Sequence, residues 1–228
     1  MSRGRAALLA WTLAAAAVVA APGPAGAQGG GLAAARAACD AAVAKRVASL
    51  GEVKGKVDAA AHLTAPDRST LDSQIDAAST GLTQLRATID ADTTLAKLRT
   101  DCRMVVTGFR VYLVLIPKAY LVVAADRAEA AGDALNRLAG LLQARVAAAQ
   151  ARGRNVTSAG GYVSDIGIKV QAAQSAAAAV PASVLPLQAT GYPANRQTLV
   201  TARASLATAR GALQGALSAA QLAINALK

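Results

Sequence analysis

One histidine, two cysteines and thirteen carboxylates are the groups in this 228-residue chain best suited to acid–base, metal or thiol chemistry. His62 is the only imidazole. It stands beside Leu63 near an expected helix end, where a solvated terminal residue fits better than a general base. Two close carboxylate pairs are Asp90/Asp92 and Asp72/Asp76. The first pair, followed by Thr93 and Thr94, suits helix capping, and the second suits an exposed helical face. A zinc site of the usual His/Cys type lacks ligands, and no Cys-x-x-Cys-His is present for haem attachment. There is no Gly-x-Ser-x-Gly and no His-Glu-x-x-His. Neither Gly29-Gly30-Gly31 nor Gly160-Gly161 has the preceding strand and following Lys-Ser/Thr of a phosphate loop. Nothing pairs an acid, a base and a nucleophile, so no catalytic, cofactor-binding or metal-ligating residue is assigned and a non-enzymatic protein is expected.

The cysteines are read through the N-terminus. Two arginines in Met1–Arg5 precede the uncharged apolar run Ala6–Ala21, then Pro22-Gly23-Pro24 and Ala25-Gly26-Ala27. That is the pattern of a signal peptide spanning 1–27, with cleavage expected before Gln28. The apolar run is too short for a ~30 Å hydrocarbon core, so no membrane span is expected after cleavage. Cys39, preceded by Arg36-Ala37-Ala38, lies too far downstream for lipid attachment. A secreted or extracytoplasmic chain of one domain, 28–228, is therefore expected. Export permits a disulfide, and two cysteines allow one pairing, Cys39 with Cys102; the alternative is two unrelated buried thiols.

Helical spacing pervades the chain, although 62 residues, about half of the 54% apolar fraction, are Ala. Leu71, Ile75, Ala78, Leu82, Leu85 and Ile89 form a heptad-type stripe. Thr64 is its expected N-cap, with Pro66 in the first turn and Asp67 three residues on. Val43, Val47, Leu50, Val53 and Val57 mark a helix over about 32–63. If these two helices made a straight hairpin at Thr64, Cys102 would overshoot Cys39 by ~15 Å, whereas a disulfide needs Cα atoms within ~7 Å. The chain is therefore expected to break at Asp90–Thr94, with a third helix carrying Cys102 back past Cys39. Farther on, Val111–Ile116 is an apolar run without alternation, closed by Pro117. Proline disfavours a helical residue before it, so a buried, extended connection is expected there. Helices are expected from Leu121 to about Ala151 and from about Ser158 to Ala179, the latter ending before Pro181, with the longest loop through Pro186, Gly191 and Pro193. Asn155-Val156-Thr157 matches a glycosylation sequon but reads more readily as a helix stop and restart, with Thr157 or Ser158 as N-cap. In the last helix Leu199, Leu206, Leu213 and Leu227 run with Ala202, Ala209, Ala216 and Ala223, a seam that lets helices approach closely. The expected fold is all-α, an elongated antiparallel bundle of about five to six helices.

Charge is divided unevenly along this expected bundle. Residues 28–133 hold 13 basic and 12 acidic side chains. Residues 134–228 hold nine basic ones and a single carboxylate, Asp165. Arg196, Arg203 and Arg210 are seven apart and lie along one side of the last helix. With Arg145, Arg152 and Arg154 they form a candidate surface for an anionic partner: an envelope polymer, lipid headgroups or an acidic protein. The competing account has their stems covering the Leu seam while their heads reach water or acids on the first helices. Nucleic acid is not expected, since the chain after residue 27 has no Trp and few aromatics on which bases could stack.

The segment Arg110–Arg127, RVYLVLIPKAYLVVAADR, resembles one found in secreted all-helical proteins of high-GC bacteria, a group without an assigned activity. The likeness extends loosely over Asp101-Cys102 and the Arg-rich last helix. It implies an exported helical domain and says nothing of activity or cofactors. Three functions follow as expectations: an exported bundle acting by surface interaction at or outside the cell envelope, a carrier of a small apolar or amphiphilic ligand between helices around Val111–Val123, and, weakest, a hydrolase without a recognisable motif.

Overall fold

The computed structural model describes residues 31–228, which form one compact unit. The expected signal peptide and its cleavage site lie outside the described residues. Six α-helices follow in order: α1 (Leu32–Asp58), α2 (Ala65–Ala91), α3 (Leu95–Thr107), α4 (Ile116–Ala151), α5 (Thr157–Val184) and α6 (Asn195–Ala226). No strand occurs among the described residues, and the chain is an all-α helical bundle. Helices α4, α5 and α6 all pack on one another, and α1 packs on α2 and α3.

The heptad-type stripe becomes the buried line of α2: Leu71, Ile75, Leu82 and Ile89 are each at most 1% exposed. Thr64 caps this helix by accepting the Asp67 N–H at 3.3 Å. The expected break at 90–94 is present, and Thr94 starts α3 by accepting the Lys97 N–H. Asp92 is the C-cap residue of α2, its N–H on the Ile89 carbonyl, and its carboxylate is buried and ion-paired with Lys97. The return of α3 along α1 brings Cys39 and Cys102 into a disulfide with Cα atoms 5.6 Å apart.

Two clusters fill the interior. The larger gathers α1–α3 with Val111, Leu115, the first half of α4, the last half of α5 and the start of α6. The smaller fills the far end of α4, α5 and α6 around Leu142, Val146, Ile166 and Val170, and Leu213 packs against both. On α6 the expected Leu/Ala seam is buried, Leu199 included. Ala202, Ala209, Ala216 and Ala223 lie at its buried centre, while Leu206, Leu213 and Leu227 flank it half-buried. Methyl groups at the centre allow the close helix approach, and the leucines fill the space beside it.

Two expectations are overturned. Val111–Leu115 is a π-helical turn leading straight into α4. Arg110, in the left-handed region at φ 44°, redirects the chain after α3, and the Ile116 N–H reaches the Val111 carbonyl. In α-helical register Pro117 would crowd the Leu113 carbonyl and offer it no proton, and the wider turn absorbs this defect. Val111, Val114 and Leu115 are buried, whereas Tyr112 and Leu113 are 40% and 42% exposed, a helical rather than an alternating pattern. Likewise α5 does not stop before Pro181 but runs through it to Val184. Val180 and Val184 are almost fully buried, and that packing outweighs the one backbone bond the proline removes.

Lys118 is a buried lysine that spacing did not reveal. It is 2% exposed, and its Nζ donates to the carbonyls of Leu187 (2.9 Å) and Leu185 (3.4 Å) just past the C-terminus of α5. Burial pushes its pKa down from the ordinary lysine value to about 8. Between these two values the unfolded chain holds a proton that the folded chain has released, so stability attributable to this group rises with pH across that window. Against Lys118→Met, in which the other titrations cancel, wild-type stability should gain about 2 kcal/mol between pH 7.5 and pH 10. Urea unfolding of both proteins measures the gain, and a pH-independent difference contradicts the lowered pKa.

Candidate interaction surface

The two halves of the chain handle charge differently. Among the described residues, cations of α1–α3 are largely engaged. Lys54 pairs with Asp76 at 2.6 Å and Arg86 with Asp40 at 3.2 Å, and Lys97 pairs with both Asp92 and Asp101. Arg68 donates to the carbonyls of Val57, Asp58 and Ala60 where α1 ends, and Arg36 donates to that of Asp92. In the second half the one ion pair is Lys169 with Asp165, within α5, at 2.5 Å.

Arg196, Arg203 and Arg210 are all exposed and make no ion pair among the described residues. Their heads therefore do not reach acids on the first helices. Arg145 and Arg152, near the end of α4, are exposed and unpaired as well. Arg154 has a local partner: it donates to the Leu227 carbonyl at 3.0 Å and closes the C-terminus of α6. The turn that carries it is built by Gly153 at φ 78°, with Gly153 N–H on Gln150 and Arg154 N–H on Ala149. That is the Schellman pattern, which needs a residue free to enter the left-handed region. Asn155 then accepts the Thr157 N–H at 3.1 Å, so the restart of α5 is stabilised by Asn155 rather than by Thr157 or Ser158.

Three further carboxylates, Asp126, Glu129 and Asp133, gather on α4. Asp126, 4% exposed, accepts the Thr64 N–H at 2.9 Å at the start of α2. Burial, with the like charge of Asp67, raises its pKa against the pull of that N–H. Burial and the neighbouring Asp126 and Asp133 raise Glu129 too. Glu129 and Asp133 line an open groove of about 350 Å³ with Gln174, Ser175 and Ala178 of α5. Gln174 donates to Asp133 at 2.8 Å across it. Among the described residues no three His, Cys, Asp or Glu gather as metal ligands. His62 is exposed, and Asp76 is spent on Lys54. Tyr112 and Tyr120 are turned toward α1, the first within 3.1 Å of the Ser49 hydroxyl and the second accepting from Lys56 at 2.7 Å.

Comparison with protein-family models, with curated proteins and with solved structures returns no match. The class defined by fold and surface is an all-α bundle, tied by one disulfide, whose second half carries unpaired cations.

Proposed function

We propose that the protein is an exported, non-enzymatic helical bundle that acts by binding an anionic partner at or outside the cell envelope. One observation carries this reading: Arg145, Arg152, Arg196, Arg203 and Arg210 stand exposed and unpaired, in a half of the chain with a single, already paired carboxylate. Charges left free in this way are poor contributors to stability and good contributors to long-range attraction. Export is supported by the pattern of residues 1–27, and the Cys39–Cys102 disulfide is consistent with an oxidising compartment. The ligand-carrier alternative has less behind it, since Tyr112 and Tyr120 are engaged with α1 and Leu113 faces solvent.

The test is binding to inorganic polyphosphate, a soluble anion without an apolar part. Affinity should fall steeply with added salt, because screening contracts to ~3 Å at molar ionic strength. Replacing Arg196, Arg203 and Arg210 together by Gln should weaken binding while leaving helical circular dichroism and melting nearly unchanged. Lost stability with binding intact assigns these arginines to covering the α6 seam instead. No binding even at low salt sinks the reading.

A further inference from the structure

The unpaired cations of α4 and α6 belong to one face, which also carries two of the most exposed leucines in the chain. On α4, Leu141, Arg145 and Arg152 follow at spacings of four and seven, along one flank. The other flank is marked by α5: Gln174 holds Asp133, and a Cβ on Gly132 would come within 2.8 Å of the Gln174 Cγ. On α6, Arg203, Arg210 and Leu217 follow at spacings of seven, again along one flank. There too the other flank meets α5, since a Cβ on Gly215 would come within 2.9 Å of the Lys169 Cε. Each pair of the three helices is in contact, so the flank turned from α5 borders α6 on α4, and borders α4 on α6. Helices α4 and α6 run parallel, and Arg154 ties the end of one to the end of the other. The two stripes therefore look outward together across the α4–α6 groove.

This face holds no carboxylate. Helix α6 contains none, the acids of α4 lie toward its first half and α5, and Asp165 is on α5 with Lys169. Leu141 is 66% exposed and Leu217 56%, each within a helical turn or two of an arginine. Apolar side chains held in water among unpaired cations have no function against a soluble polyanion, which offers only charge. An anionic bilayer offers both partners, phosphates at the surface and acyl chains just beneath it.

The geometry points to the α4–α6 face as a docking surface for an anionic phospholipid membrane, with Arg145, Arg152, Arg203 and Arg210 on headgroup phosphates and Leu141 and Leu217 entering the acyl boundary. The inference rests on the anionic-partner reading above and narrows it to lipid.

The experiment uses the exported chain, its N-terminus read first by mass spectrometry so that residues 6–21 contribute nothing. Binding is measured to vesicles of equimolar phosphatidylcholine and phosphatidylglycerol, to pure phosphatidylcholine vesicles, and to polyphosphate. The expected result is salt-sensitive binding to the mixed vesicles and none to the neutral ones. Arg145→Gln, Arg152→Gln and Arg210→Gln combined should weaken vesicle binding on the order of a hundredfold. Leu141→Ser with Leu217→Ser should weaken it on the order of tenfold while leaving polyphosphate binding unchanged. All five positions are exposed, so folding is preserved and circular dichroism checks it. Polyphosphate binding with no vesicle binding, or vesicle binding indifferent to the two leucines, overturns the lipid inference and leaves the anionic reading standing. Failure to bind either anion overturns both.

Discussion

Leu115→Asp should be among the most damaging single substitutions in this protein, and Leu113→Asp, two residues away, should be nearly silent. Leu115 is 6% exposed and packs into the main core, while Leu113 is 42% exposed on the solvent side of the same turn. At position 115 the change removes apolar burial and puts a carboxylate inside the core, a loss on the order of 5 kcal/mol. Stabilities of domains run about 5–15 kcal/mol, so that loss consumes a large part of the whole. At position 113 the cost is about 1 kcal/mol or less, because the charge stays in water. Urea titrations of the two variants give the comparison directly. Equal losses would mean that residues 111–116 are extended, with 113 and 115 on one side, and the π-helical turn would be wrong.

That pair of positions also marks where local pattern stops determining structure. The stripe from Leu71 to Ile89 was legible because four-three spacing at heptad intervals has one reading, and all four of its large buried members end within 1% exposure. The break at Asp90–Thr94 was legible because a disulfide distance and helix rise together excluded a straight hairpin. Six apolar residues before a proline carry no such constraint. Helix and extended chain both bury Val111 and Leu115, and it is the left-handed Arg110 together with the widened turn that selects the helix. Pro181 misleads for a related reason, since its local cost is visible in sequence and the compensating burial of Val180 and Val184 is not. For the candidate surface, the Arg196/Arg203/Arg210 line follows from a spacing of seven, because residues seven apart share a helix side. The facing of α4 against α6 does not. It depends on which flank of each helix meets α5, and that is settled by contacts of Gln174 and Lys169 lying far away in sequence. Lys118 was invisible for the same reason, since its acceptors are carbonyls of residues 185 and 187.

Reducing the Cys39–Cys102 bond should lower stability by about 4 kcal/mol, the loop-closure entropy returned to an unfolded chain tied across roughly 60 residues. For a chain of this length each kcal/mol moves the midpoint by about 2–4 °C, so melting should fall by on the order of 10 °C. The native state has its own stake in the bond. Helix α3 is only 13 residues long and buries just Leu98 and Val105 of its own, and the disulfide anchors it to α1. Reduction should therefore also speed amide hydrogen exchange selectively in α3, ahead of any change in the α2 stripe. Cys39 and Cys102 are both half-buried residues. The double variant Cys39→Ala/Cys102→Ala should reproduce the loss without reductant, which separates the cross-link from side reactions of the thiols. Two free thiols titrated in the denatured, unreduced protein would show that the bond does not form, and an unchanged melting temperature on reduction would remove its energetic role. With the bond gone and α4–α6 packed as before, binding to anions should persist, because none of the cations of that face lies between Cys39 and Cys102.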